Sequence, residues 1–212
     1  MLSMHDPTSD DLATELAETV RFLAQKGWAP GTGGNFSAVR SQAPLRLLIT
    51  PSGVDKSQLR AQELLEIDAN GAVLTGSSRA SAETQLHLAI VTQRSVGAVL
   101  HTHSIWNTLL SRHFAREETL HIEGYEMLKG LQGVTTHLHR ETVPLLENSQ
   151  DMAALSGKVA AALDRYPACH GILLQGHGLY TWGDTLAEAR RHVEIFEFLF
   201  EVVARERWRD TR

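Results

Sequence analysis

The chain has 212 residues, 42% of them hydrophobic, enough for one domain with a substantial core. Its 20 Lys+Arg against 25 Asp+Glu give a net charge of -5 without a long basic stretch, which argues against a nucleic-acid partner, and the single Cys169 excludes an intrachain disulfide framework. Residues 1–11 lack the basic and apolar regions of a signal peptide, and no apolar run approaches the roughly 20 residues a membrane-spanning helix needs, so a cytoplasmic protein with no membrane partner is expected.

In residues 11–26, Leu12, Leu16, Val20 and Leu23 share one helical face, with Ser9 or Asp10 placed to cap the helix and Gly27 to end it. The glycine-rich segment 28–37 reads as a loop running into a short strand, and 45–50 as a further strand. Segments 64–68 and 72–74 flank Ala69-Asn70-Gly71, a turn signal that predicts a hairpin and therefore a sheet that is at least partly antiparallel. A helix over 83–94 precedes a buried strand, 97–101, that runs into His101-Thr102-His103. Helices are expected over 105–112, 123–130 and 151–165, with His137 and His139 on a strand between the last two. Strands at 171–174 and 179–182 then surround Gln175-Gly176-His177-Gly178, and a long apolar-striped helix runs from 186 to about 207. The pattern is α/β: a central mixed or antiparallel sheet covered by helices.

His101 and His103 lie two apart, so in extended chain their side chains leave the same face and can share one ion. His137 and His139 have the same spacing, and spacing alone does not choose between the pairs. The first pair follows a buried strand, and His177 stands close to two glycines that permit close backbone approach, although His177 also reads as a turn histidine unrelated to the pair. Three neutral imidazoles would leave the fourth position of a tetrahedral zinc open for catalysis. Three loops can offer donors to an anion: Gly31 to Ser37 with Gly33 and Asn35, the turn Thr50-Pro51-Ser52-Gly53, and Gly76-Ser77-Ser78, with Lys56 and Arg79 adding charge. Taken singly, each is also an ordinary loop. Glu83 and Glu126 are the candidate bases, with a helix-capping residue and a solvated helix face as their plain alternatives.

The blocks Gly33-Gly34-Asn35-Phe36-Ser37, Thr50-Pro51-Ser52-Gly53, Ser81-Ala82-Glu83-Thr84, His101-Thr102-His103 and His177-Gly178-Leu179-Tyr180-Thr181-Trp182-Gly183 occur in an order that resembles the class II aldolase/adducin-head superfamily over nearly the whole chain. The resemblance implies a three-layer α/β/α fold, a homotetramer, and one divalent ion per subunit, usually zinc, on His101, His103 and His177. It also implies a small phosphorylated keto-sugar as substrate, its phosphate held by Asn35, Thr50, Gly53, Ser77 and Ser78 with Gly33 and Ser52 beside them. Gly27-Trp28-Ala29-Pro30 and Glu126-Met127-Leu128-Lys129-Gly130 are similar to a dehydratase branch that serves methionine salvage. That likeness implies loss of water from 5-methylthioribulose 1-phosphate, with Glu126 as catalytic acid/base. Glu83 matches a carboxylate that sugar-phosphate aldolases keep close to zinc, which leaves fuculose- or rhamnulose-phosphate aldolase and pentulose-phosphate 4-epimerase activities open. The aldolases also commonly supply a tyrosine near the C-terminus, and this chain has none after Tyr180, which favours the dehydratase. A non-catalytic interaction domain like the adducin head is the reading from another class, and the three histidines argue against it.

Overall fold

The computed structural model describes residues 9–209; residues 1–8 and the side chains of Ser9 and Asp10, expected to cap the first helix, lie outside the described residues. In chain order the elements are α1 (Ser9–Gln25), β1 (Asn35–Gln42), β2 (Leu45–Ile49), β3 (Leu65–Asp68), β4 (Val73–Thr75), α2 (Thr84–Arg94), β5 (Ala98–Thr102), α3 (Ile105–His113), β6 (Thr119–Glu123), β7 (Arg140–Leu146), α4 (Met152–Arg165), β8 (Gly171–Leu174), β9 (Gly178–Gly183) and α5 (Leu186–Arg209). The strands form one nine-stranded sheet in the order β4-β3-β2-β1-β5-β9-β8-β7-β6. Among the described residues only β7 and β8 run parallel; α4 makes the crossover between them, as a parallel connection requires.

The core explains the layering. On one face, Leu86, Ile90 and Val91 of α2 and Leu155, Val159 and Leu163 of α4 pack against Leu47, Ile49, Val99 and Ile172 of the sheet. The other face carries α1 through Leu16, Val20 and Leu23, packed with Phe36, Ala38 and Leu100. There too, α3 and α5 bury Leu110, Phe196, Leu199 and Phe200 against Val143, Leu173 and Leu179. The result is the expected α/β/α sandwich. Its middle strand, β5, is buried at every position, because it is covered on both faces and paired on both sides.

The β3–β4 hairpin forms where Asn70-Gly71 predicts it, with the Asp68 carboxylate accepting the backbone N–H groups of Asn70 and Ala72. Two expectations are corrected. Residues 123–130 are not one helix: 119–123 form edge strand β6, and only Glu126–Gly130 is helical, as a short 3-10 segment. Thr119-Leu120-His121-Ile122-Glu123 has a period of two, with Leu120 and Ile122 buried and His121 and Glu123 outward, and this alternation prevails over helical propensity. His137 and His139 lie in the turn before β7 rather than on it; the His139 N–H donates to the Thr136 carbonyl, and the ladder begins at Arg140.

Candidate metal centre and its surroundings

His101 is the penultimate residue of β5, and His103 follows the strand's end, so the two rings project to the same side with their centroids 4.5 Å apart. His177 arrives on the turn between β8 and β9. Gly178, which follows it, passes so close to β5 that a Cβ there would stand 2.1 Å from the Thr102 carbonyl oxygen and 2.9 Å from the His101 ring, an approach that only glycine permits. The three Nε2 atoms converge: His101 to His103 at 2.7 Å and His101 to His177 at 3.3 Å.

The tautomers follow from what each ring touches. The Nδ1–H of His101 donates to the Leu179 carbonyl at 2.9 Å, which leaves its Nε2 lone pair aimed at the other two rings. Burial, together with the neighbouring His103, holds the His101 imidazolium well below its ordinary pKa; burial and His177 push His103 down to about 4. His103 and His177 turn their Nε2 atoms to the His101 lone pair, so a cation placed among the three rings would meet three nitrogens. The donor set therefore fits a divalent metal, and the fixed Nδ1–H is the outer support such a ligand needs. Tyr180, the cross-strand partner of His101, stacks on its ring at 3.8 Å and 10°, which locks the ring plane.

Glu83 stands at the start of α2 with its side chain turned to the centre: Oε1 is 3.1 Å from His177 Nε2, and Oε2 is 3.8 Å from His101 Nε2. Its role as a helix cap is not observed, since it makes no capping hydrogen bond. Burial alone would raise its carboxyl, but the hydrogen bond from His177, the charge near His101 and a hydrogen bond from Asn35 outweigh it and hold the group below its ordinary value. Asn35 is engaged at both ends. Its Nδ2 donates to Glu83 Oε2, and its Oδ1 accepts from His87 Nε2, while the Ser37 hydroxyl donates to His87 Nδ1 at 2.8 Å.

The candidate anion loops separate into two groups. Asn35 and Thr50 are buried and occupied within the fold, Thr50 Oγ1 accepting the Phe36 N–H at 3.2 Å, so neither side chain is turned outward to an anion. Gly33 packs against His103 and cannot carry a Cβ without a clash at 2.8 Å. Ser52, Gly53, Ser77 and Ser78 are exposed and brought together, because the Ser52 N–H donates to the Arg79 carbonyl at 2.9 Å and Pro51 bridges Ala80. Ser77, Ser78 and Arg79 line a cleft of about 630 Å³ that reaches Ser81, Ala82 and Thr84, the neighbours of Glu83, but none of the three histidines. Lys56, expected to add charge to these loops, is buried instead; its Nζ donates to the carbonyls of Thr32 and Val54 at 3.0 and 3.1 Å and braces the loop that carries Gly33.

Glu126 is placed elsewhere. Its side chain is 69% exposed, pairs with Lys129 and stands 3.8 Å from His137; no described contact joins it to the three histidines or to Glu83. Sequence reasoning assigned no role to two residues at the centre. Tyr180 has no linear signal, since its pairing with His101 exists only through sheet register. Glu197 has one: it shares a helical face with buried Val193, Phe200 and Ala204, an unusual position for a carboxylate. There its Oε1 accepts from Thr102 Oγ1 and Asn107 Nδ2, both at 3.3 Å, tying α5 to the strand end that bears the histidines.

Fold and centre together define a class: the chain belongs to the class II aldolase and adducin N-terminal domain family, whose model matches residues 14–204. It is 43% identical over 195 residues to a methylthioribulose-1-phosphate dehydratase of Pseudomonas fluorescens (strain Pf0-1), covering 92% of each chain. It is 45% identical over 193 residues to a protein of the same name from Pseudomonas savastanoi pv. phaseolicola, covering 91% of this chain and 93% of that one. Among solved structures, L-fuculose-1-phosphate aldolase from Thermus thermophilus shares the fold with a TM-score of 0.74 at 24% identity, over 95% of this chain and 97% of that one.

Proposed function

We propose that this protein is a zinc-dependent lyase that converts 5-methylthioribulose 1-phosphate to 2,3-diketo-5-methylthiopentyl 1-phosphate and water, a step of methionine salvage, working as a cytoplasmic homotetramer. The observation that carries the reading is the convergence of three imidazole Nε2 atoms beside an ionised carboxylate, in a chain 43% and 45% identical along its length to named dehydratases.

His101, His103 and His177 would hold the zinc, which would supply Lewis-acid polarisation to the substrate carbonyl and so acidify the neighbouring C–H. Glu83, ionised and directed into the centre, accepts the C3 proton. The C4 hydroxyl then leaves as water after taking a proton, and protonation at C4 of the resulting enol gives the diketone. Glu126 is the proposed proton donor to the departing hydroxyl. Among the described residues no contact joins it to the histidines, so this role requires that assembly or substrate binding carry it there. The exposed Ser52, Gly53, Ser77 and Ser78, with Arg79, hold the phosphate. The contact between Glu83 and the histidines also favours a second reading, a ketose-phosphate aldolase, in which the same carboxylate serves carbon–carbon cleavage.

Turnover of 5-methylthioribulose 1-phosphate by zinc-loaded protein, with a chelator-treated sample alongside, tests the proposal. Diketone formation that the chelator abolishes and zinc restores is the expected result. No diketone from zinc-containing protein, with cleavage of a ketose 1-phosphate instead, would replace the dehydratase by the aldolase.

A further inference from the structure

A second group of ligating side chains lies at the opposite end of the sheet. His170 immediately precedes β8 and His177 follows that strand, so the two ends are separated by about 15 Å at the rise of an extended chain. His139 immediately precedes β7 and Glu141 is its second residue, and because β7 and β8 run parallel, they fall beside His170.

Glu141 is 1% exposed, and each of its oxygens has a defined neighbour. Oε1 accepts the backbone N–H of His170 at 2.9 Å. Oε2 faces two imidazoles at once, His139 Nε2 and His170 Nδ1, each at 2.9 Å. His170 is oriented by the Gln132 peptide: its Nε2–H donates to the Gln132 carbonyl at 2.8 Å, while the Gln132 N–H donates to His192 Nε2 at 3.0 Å and the His192 Nδ1–H donates to the Trp182 carbonyl at 2.7 Å.

A protonated His170, opposed by burial but favoured by Glu141, donates Nδ1–H to Oε2; with His170 neutral, the hydrogen bonds leave two lone pairs facing each other. A carbonyl only accepts, so the proton of neutral His170 sits on Nε2, and Nδ1 presents a lone pair to a carboxylate oxygen 2.9 Å away. A proton on Nδ1 would satisfy that one pair. A cation would satisfy His170 Nδ1, His139 Nε2 and Glu141 Oε2 together, and these three atoms lie within 4.8 Å of one another. The outer support by Gln132, which fixes the tautomer and aims Nδ1, is what a metal-binding histidine requires, and Leu179 gives His101 the same support.

We propose that His139, Glu141 and His170 form a second divalent-metal site, distinct from the three-histidine centre, that takes zinc or a neighbouring transition ion through two nitrogens and one oxygen. A cleft of about 220 Å³ lies beside the group, with His139, Thr142 and Cys169 on its wall. Of the arginines on that cleft, Arg140 pairs with Glu123 and Arg165 with Glu118; Arg94, which donates to Cys169 Sγ at 3.5 Å, is the nearby positive charge that the buried Glu141 carboxylate would have to offset for a cation. Bound there, the ion joins the starts of β7 and β8 to the segment that carries Gln132.

Metal content per chain, measured on protein stripped and then reloaded with zinc, tests the site. The expected result is two zinc ions in the wild-type chain, one in His139→Ala, one in His101→Ala and none in the double variant. His139 is 27% exposed at the rim, so its truncation leaves the fold intact; His170→Asn is the second variant and is also expected to hold one ion. A wild-type count of one that His101→Ala abolishes and His139→Ala preserves would overturn the proposal and assign His170 a proton instead of a metal bond. A count of one with the opposite dependence would uphold this site and remove zinc from the three-histidine centre.

Discussion

At the scale of single residues, two glutamates of equal intrinsic acidity have opposite surroundings. Glu83 lies against His177 and His101 and accepts from Asn35, whereas Glu126 stands in solvent beside Lys129. Glu83→Gln keeps the shape but removes the proton acceptor, so turnover should fall by about 10²-fold or more, within the range of general acid–base catalysis, with little change in fold. Glu126→Gln is expected to keep metal and substrate binding and also to lose most turnover. Single-turnover rates and metal content on the same preparations check both, and normal turnover by Glu126→Gln would leave Glu83 as the acting group without a partner from that segment. Both carboxylates are visible in the linear chain as candidates. Only the fold distinguishes them, because proximity to His177 depends on a turn that lies 94 positions further along, the difference between 177 and 83.

Among elements, the junction of β5 with the β8–β9 turn decides whether the centre exists. Replacing Gly178 by Ala sets a methyl against the Thr102 carbonyl and the His101 ring, and backbone oxygen cannot move aside cheaply. Gly178→Ala should therefore separate β9 from β5, cost about 1–3 kcal/mol as an overpacking change, and weaken metal binding; denaturant unfolding with and without zinc measures both effects. The long helices and the buried strands β5, β8 and β9 were legible in sequence, because each has a continuous apolar run or stripe. The region 119–139 was not. There a five-residue edge strand, a short 3-10 segment and a turn follow one another, and pairing to β7, rather than local periodicity over a long window, determines where each begins.

Across the whole molecule, Glu197 links α5, α3 and β5 from within the core. Burial pushes its carboxyl up to about 7 from an ordinary 4.5, against hydrogen bonds from Ser104, Thr102 and Asn107 that lower it, and its Oε2 is buried without a partner. The folded chain therefore keeps a proton that the unfolded chain releases above pH 4.5. For this group the sign follows: its contribution to the unfolding free energy falls as pH rises from 4.5 to about 7, by about 3 kcal/mol, whereas the neutral His87, His101, His103 and His192, held down by burial, contribute the opposite slope below their ordinary pKa. Urea unfolding of wild type and Glu197→Gln side by side isolates this contribution: the variant should gain stability relative to wild type as pH rises through the window and be the more stable protein above pH 7. A slope unchanged by the substitution would place the titration elsewhere.

The amino-acid sequence by itself determined the α/β class, the hairpin at Asn70-Gly71, the long helices and the membership of His101, His103, His177 and Glu83 in one set of candidates. These rest on local spacing, turn chemistry and ordered motifs, which survive in one dimension. Tertiary structure decided which carboxylate touches the histidines, that Asn35 and Thr50 are turned inward, that Tyr180 stacks on His101, and that His139, a decoy by spacing, finds Glu141 and His170 rather than His137. Those outcomes depend on strand order and register. A histidine just before β7 and another just before β8 become neighbours only because α4 carries the chain over the sheet and returns it parallel, and no local pattern encodes that crossing.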